Sequence, residues 1–305
     1  MTSIEPKNNL EEALSSLQLP KNISHKGQNG KLLVIGGSSI FHAASIWAAE
    51  AASKVVDMVH YSSTKENGEL MTLLKSKFLN GIVTPRFDLL SYVEEDDCIL
   101  IGPGMERGEV SAQTKEAEYS FEQICSLENE ADYTYALIRF LIAQYPDKKF
   151  VFDAAALQMM RPEWLLTLTE KPIITPHCKE FEVLFDLSIC ELPLEEKEKV
   201  LQETAKKYNC VILFKQISDI VTDGSSTTII NGGNPGLTKG GTGDVLSGIS
   251  AAIYTKNSPI TSCILASYLL KKSAEDIFEI SGLLYNTSDL ISQLPLTAKP
   301  LLFDN

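Results

Sequence analysis

The chain has 305 residues, 44% of them hydrophobic, which suits one large α/β domain or two small ones and excludes collagen-like and disordered classes. Its 40 acidic residues against 27 lysines and arginines leave a net charge of −13 with no basic run to interrupt it, so no nucleic-acid interface is expected. No eighteen apolar residues run together, and the start "MTSIEPKNNLEEALSSLQLP" lacks the basic and apolar regions of a secretory signal, so neither a membrane span nor export is expected.

Leu10, Ala13, Leu14 and Leu17 recur at helical spacing between Asn9 and Leu19 until Pro20 ends the pattern, which predicts a docking helix in an extension over residues 1–23. Then "KLLVIGGSS" reads as a buried strand ending in glycines, followed by the small-residue helix "HAASIWAAEAASKVV". Strands follow in "MVHYSS", around Ile82 and Val83, and in "CILIGPGM". "YTYALIRFLIAQYP" is helical, "KKFVFDAAAL" is a strand feeding a helix, and "KPIITPH" is a strand before the helix "KEFEVLFDL". The helix "PLEEKEKVLQETAKKYNC" precedes the strand "VILFK".

This alternation predicts a parallel sheet with right-handed crossovers and helices on both faces. After Lys215 the pattern changes: "DIVTDG" and "STTIING" flank an Asp-Gly turn signal, predicting an antiparallel hairpin at the sheet edge. The remainder, "DVLSGISAAIYTK", "ITSCILASYLLKKSAEDIFEIS" and "SDLISQL", is helical. No repeat or Pro/Ser-rich linker divides the chain, so residues 24–305 are expected to form a single domain. The six cysteines, Cys98, Cys125, Cys178, Cys190, Cys210 and Cys263, show no CxxC pairing and are expected as reduced thiols of a cytoplasmic protein.

The chemistry concentrates in "NPGLTKGGTGDVLSG", from Asn234 to Gly248. Gly240, Gly241, Thr242 and Gly243 lead to Asp244, after which Val245, Leu246, Ile249 and Ile253 keep helical spacing. Such a loop offers free amides at a helix N-terminus to an anion, and glycines let a phosphate approach the backbone. Asp244 is then either a first-turn carboxylate that stabilises the helix or a general base beside a transferring phosphoryl group. The sequence has no G-x-x-x-x-G-K-[ST] motif, and neither "IGGSS" nor "IGPGM" completes G-x-G-x-x-G, so Walker-type hydrolysis and hydride transfer lose support.

"NPGLTKGGTGDVLSGI" resembles the signature of the ribokinase-like superfamily and, within it, the ADP/ATP-dependent NAD(P)H-hydrate dehydratases. "SHKGQNGKLLVIGGSSIFHAAS", "ILIGPGM", "VFDAAAL" and "IITPHCKEFEVLF" resemble further blocks of that family in its order, from about Ser24 to Asp289. The resemblance implies a three-layer αβα sandwich with a mostly parallel sheet. It implies phosphoryl transfer from ADP or ATP, with Mg²⁺, to the hydroxyl of hydrated NADH or NADPH (NADHX, NADPHX), and loss of phosphate to restore the nicotinamide.

By that resemblance Asp244 matches the base, and Gly241, Thr242 and Gly243 the anion hole. Ala44, Gly102, Gly104 and His177 match substrate contacts, and Lys215, Gln216, Ile217, Ser218 and Asp219, with Gly243, match adenine-nucleotide contacts. Glu180 matches an acid near the magnesium. A homo-oligomer, in many relatives a tetramer, and an epimerase on a separate chain are implied as partners.

Each position also has a plain structural reading. His177 and Glu180 suit a helix cap and its first turn, the "GPG" glycines suit a simple turn, Lys239 suits either a phosphate or solvent, and His42 is read as surface. The chain departs from the family at Ala155, where a second aspartate is usual, at Gln28, at Gln216 and Glu106, where glycine is common, and over residues 54–57, a turn usually made of small residues. A vitamin-precursor kinase of the same superfamily, such as one acting on hydroxyethylthiazole, and a nucleotide-binding protein without catalysis are the competing functions.

Overall fold

The computed structural model describes residues 6–76 and 78–303, so residues 1–5 of the expected extension and 304–305 of the expected domain lie outside it. Among the described residues nine strands form one sheet: β1 (Lys31–Ile35), β2 (Met58–Ser62), β3 (Gly81–Val83), β4 (Cys98–Ile101), β5 (Lys149–Phe152), β6 (Ile173–Ile174), β7 (Val211–Phe214), β8 (Asp219–Thr222) and β9 (Thr227–Ile230). The order across the sheet is β3-β2-β1-β4-β5-β6-β7-β8-β9. The run from β3 to β7 is parallel, and β8 and β9 close one edge as the expected antiparallel hairpin.

The helices are α1 (Pro6–Ser16), α2 (Ala43–Ala52), α3 (Lys65–Leu73), α4 (Leu89–Glu95), α5 (Ala112–Glu116), α6 (Phe121–Cys125), α7 (Glu130–Gln144), α8 (Ala155–Met159), α9 (Cys178–Phe185), α10 (Leu194–Lys207), α11 (Thr242–Tyr254), α12 (Pro259–Ser281) and α13 (Thr287–Phe303). No described helix is long and apolar enough to cross a membrane. Helices α3 to α6 lie outside the elements expected from the sequence, and the last helix, expected to end before Pro295, continues as α13 through Pro295 and Pro300.

The strands read as unbroken apolar runs because both faces of the sheet are covered. Leu32 and Val34 of β1, Leu100 of β4 and Leu213 of β7 join one core with α2, α11 and α12. Leu33, Ile35, Ile101 and Phe214, one residue out of step, join the other core with α7, α8 and α10. Ala48, Ala49, Ala51 and Ala52 are buried in α2, which lets α11 lie close against it. Beyond the sheet, α1 docks on α12 and β9 with Ala13 buried and Leu10, Leu14 and Leu17 packed behind it.

One expectation fails. Cys178 and Cys190 form a disulfide, while Cys98, Cys210 and Cys263 are buried thiols and Cys125 a half-buried one. Spacing alone could not show the pairing, because it depends on the chain reversing after α9. Asp186 takes the left-handed conformation, with φ 52°, and Glu182 Oε1 accepts the amides of Ile189 and Cys190, each at 3.1 Å. The returning chain brings Cys190 to a Cα–Cα distance of 5.4 Å from Cys178.

Candidate active site

Parallel strands end on one edge, so the loops after β1, β4, β5, β6 and β7 meet there. The strand order reverses between β1 and β4, the place where open α/β sheets bind ligands. At that point the Gly37 amide donates to the Pro103 carbonyl at 2.8 Å. Gly102 has φ 123°, and a Cβ there would lie 1.9 Å from the carbonyl oxygen of Asp153. The "GPG" turn is therefore required by the chain of β5 beside it, whatever it also binds. Ala44, in the first turn of α2, faces it: a Cβ built on Gly104 would lie 3.1 Å from the Ala44 Cβ.

Four charged side chains gather at the ends of β5, β6 and β7. Asp153 is fully buried, and its Oδ1 accepts from Lys215 Nζ and from the Thr175 hydroxyl, both at 2.8 Å. Its Oδ2 is buried with no hydrogen-bond partner among the described residues. Lys215 lies beside His177 through a parallel bridge that extends the β6–β7 register, and its Nζ is also 3.6 Å from Glu180 Oε2. Burial disfavours the Lys215 ammonium, but the charges of Asp153 and Glu180 overcome it and raise its pKa.

His177 caps α9: its Nδ1 accepts the amides of Lys179 at 3.1 Å and Glu180 at 3.3 Å. Glu180 answers by accepting the His177 amide at 2.9 Å, which completes a capping box. With Nδ1 an acceptor, the neutral ring carries its proton on Nε2, 3.3 Å from Glu180 Oε1. The plain reading of these two residues, a helix cap and its first turn, is what the structure shows, and capping fixes both side chains in place.

Asp244 stands in the first turn of α11. Burial pushes its carboxyl up, the Asp153 charge adds to that, Lys215 opposes it and Glu180 adds again, so it titrates at about 7. Before it, Gly241 holds φ 98° at the N-cap, and a Cβ there would meet the Trp47 ring at 2.4 Å. The Thr242 hydroxyl donates to the carbonyls of Leu237 at 2.7 Å and Lys239 at 3.0 Å, so it fastens the loop. Of the first-turn amides of α11, that of Thr242 donates to the Lys239 carbonyl at 3.4 Å and that of Asp244 to its own carboxylate, while that of Gly243 has no acceptor within the helix. Lys215 Nζ is 3.6 Å from where a Gly243 Cβ would stand, which places a cation beside the helix start.

The run 215–219 divides. Asp219 is buried and serves the fold: Oδ1 accepts the Gln216 amide at 2.9 Å, Oδ2 accepts from the Ser267 hydroxyl at 2.7 Å, and Lys271 Nζ lies 3.6 Å away. Burial raises the Asp219 pKa against the pull of Lys271, which itself donates to the Ile217 carbonyl at 2.7 Å. The β7–β8 turn is thereby clasped to α12, leaving Ile217 92% exposed at its tip. Lys239 follows neither expectation, since its Nζ donates to the carbonyls of Leu283 and Tyr285 and lies over the Tyr285 ring. His42 is half-buried, with Nδ1 2.6 Å from Asn67 Oδ1.

Asp153, Thr175 and Lys271 had no role in the sequence reading. For Asp153 the signal was present: a carboxylate ending a buried strand in "VFDAAAL". Asp153, Glu180 and Asp244 set three carboxylates against one ammonium, and the unpartnered Asp153 Oδ2 leaves an oxygen donor to spare. An excess of carboxylate oxygen suits a hard divalent cation such as Mg²⁺.

The family model for NAD(P)H-hydrate dehydratases matches residues 32–296. The chain belongs to that family. It is 32% identical to the ADP-dependent (S)-NAD(P)H-hydrate dehydratase of Cenarchaeum symbiosum, over 91% of each chain, and 30% identical to the enzyme of the same name from Nitrosopumilus maritimus, over 92% of each. The ADP/ATP-dependent NAD(P)H-hydrate dehydratase of Bacillus subtilis, co-crystallised with ATP and Mg²⁺, shares the dehydratase fold at a TM-score of 0.75 and 21% identity, over 95% of this chain and 96% of that one. The three-layer, mostly parallel sheet expected from the sequence is the ribokinase-like fold of such structures.

Proposed function

We propose that the chain is a metabolite-repair enzyme that dehydrates NADHX and NADPHX to NADH and NADPH at the expense of ADP or ATP. The observation that carries this reading is Asp244 at the start of α11, lifted to about 7 by burial and by Asp153, beside a glycine loop and the Lys215 ammonium. A carboxylate titrating near neutrality suits a general base. Asp244 takes the proton of the substrate hydroxyl, the hydroxyl oxygen forms a bond to the donor's terminal phosphorus, and the bond from that phosphorus to the leaving nucleotide oxygen breaks. Departure of the new phosphate, with loss of a proton from the adjacent carbon, restores the double bond of the nicotinamide ring.

The amides of Gly241, Thr242 and Gly243 and the Lys215 ammonium offset charge on the moving phosphoryl group. Ala44, Gly102, Gly104 and His177 line the substrate side, and the turn of residues 215–218, held by Asp219, lies on the nucleotide side. Glu180, with the unpartnered Oδ2 of Asp153, would hold Mg²⁺, which when bound would neutralise phosphate charge and leave Asp244 free to act as base. The relatives' names support ADP as donor. A cytoplasmic location, a homo-oligomer and a separate epimerase chain belong to the same reading.

The test is to mix the purified chain with NADHX, Mg²⁺ and either ADP or ATP and to follow the return of NADH absorbance. Recovery that requires a nucleotide supports the proposal and names the donor. A stable phosphorylated product without NADH would turn the reading to a small-molecule kinase, and tight nucleotide binding without any turnover would turn it to a binding protein.

A further inference from the structure

At the end of α11 away from Asp244 lies a second cavity of about 520 Å³, within the range of about 300–1,000 Å³ usual for ligand pockets. Ile253, at its inner wall, is nine residues from Asp244 along the helix, about 14 Å at 1.5 Å per residue. Leu17, Leu19, Val55, Leu302 and Phe303 form its sides, brought together from the segment after α1, the turn after α2 and the end of α13. Phe303 is 64% exposed and Leu19 and Val55 are exposed as well, so part of the apolar wall faces water.

The charge at the rim is opposite to that of the protein as a whole. Among the described residues no aspartate or glutamate lines the cavity, whereas Lys21, Lys54, Lys256 and Lys299 all do. Lys256 is paired with Asp97 at 2.9 Å. Lys21, Lys54 and Lys299 are exposed and have no ion-pair partner among the described residues. Lys54 opens the stretch 54–57, which stands where the family usually has a turn of small residues.

We propose that this cavity binds an amphipathic anion, an alkyl chain ending in one carboxylate or phosphate, with the chain against the leucines and Phe303 and the head group at Lys54 and Lys299. Apolar walls supply affinity for the chain, and the unpaired ammonium groups select the sign of the head.

Calorimetric titration of the full chain with dodecanoate, dodecyl phosphate, dodecanol and dodecylamine, each below its micelle concentration, tests this. One dodecanoate or dodecyl phosphate is expected to bind per chain, the better of the two naming the head group, with the amine failing to bind. The double variant Lys54→Glu, Lys299→Glu is expected to weaken anion binding by at least about tenfold, as loss of charge-assisted contacts does. Both positions are exposed, so that variant should unfold at the wild-type temperature. Dodecylamine binding as well as dodecanoate, an unaffected double variant, or no binding by either anion would overturn the proposal. Concentration-dependent dimerisation abolished by Leu302→Glu would overturn it too, by assigning the face to a second copy of the chain.

Discussion

Replacing Asp153 with asparagine should move the pH at which the enzyme becomes active. Asparagine keeps an acceptor for Thr175 and Lys215, which now bond Oδ1 at 2.8 Å, and exchanges the charge and the unpartnered Oδ2 for a neutral NH2. Asp244 rises from the ordinary 3.8 to about 7, with burial as the first cause and Asp153 as the second. Burial survives the substitution, so only the share contributed by the Asp153 charge is lost, each pH unit of it being worth about 1.4 kcal/mol.

The sign follows from the role of Asp244. A base works when ionised, and a lower pKa extends ionisation to lower pH. The acid limb of kcat/KM, which reports the free enzyme, should therefore move from about pH 7 to lower pH. At pH 6 the active fraction, about a tenth of the plateau in the wild type, would rise with the size of that shift and reach about a half for a shift of about one unit. The assay is NADH recovery from NADHX between pH 5 and 9, with each profile scaled to its plateau so that any loss of magnesium affinity cancels. A limb that stays in place, or moves to higher pH, would refute the reasoning that Asp153 sets the titration of Asp244.

Asp244→Asn should lose turnover by about 10²–10⁴-fold and yet be more stable than the wild type at pH 8. Because the folded pKa lies above the unfolded value, stability is lost as pH rises through about 7, so the variant should gain on the order of 2–3 kcal/mol at pH 8 and much less at pH 5 in urea titrations. Gly241→Ala places a methyl 2.4 Å from the Trp47 ring at φ 98° and should cost at least about 2 kcal/mol of stability along with activity. Gly243→Ala meets only the Lys215 side chain, Nζ at 3.6 Å and Cδ at 4.0 Å, so its melting temperature should be unchanged and any rise in KM for the nucleotide reports the bound phosphate. Cys178→Ser should lower stability by about 2–3 kcal/mol under oxidising conditions, as expected for a loop of 12 residues, and by far less with reductant present.

The sheet could be read from the sequence because burial on both faces makes its strands unbroken apolar runs, and the Asp-Gly signal in "DIVTDG" marked where parallel pairing ends. The helices α3 to α6 could not: α5 and α6 have five residues each, too short for a periodic pattern, and only caps such as Ser111 and Ser120 mark them. Gly241 and Asp244 were legible because a glycine loop before a helix is local chemistry. The Asp153–Lys215 pair spans 62 residues of sequence and exists only through the register of β5, β6 and β7. Tertiary context decided likewise for Asp219, which is turned inward toward Ser267 and Lys271, and for Lys239, which is spent on backbone carbonyls.

The central claim is that Asp244 takes a proton as phosphate is made and lost at the substrate hydroxyl. The most direct measurement is the ratio of inorganic phosphate released to NADH restored when NADHX, Mg²⁺ and ADP are added to the wild type and to Asp244→Asn, with NADHX binding to each checked by calorimetry. The account predicts one phosphate per NADH for the wild type, and for the variant neither product at a comparable rate despite unchanged binding. Near-normal turnover in the folded variant, or NADH restored without phosphate, would contradict it.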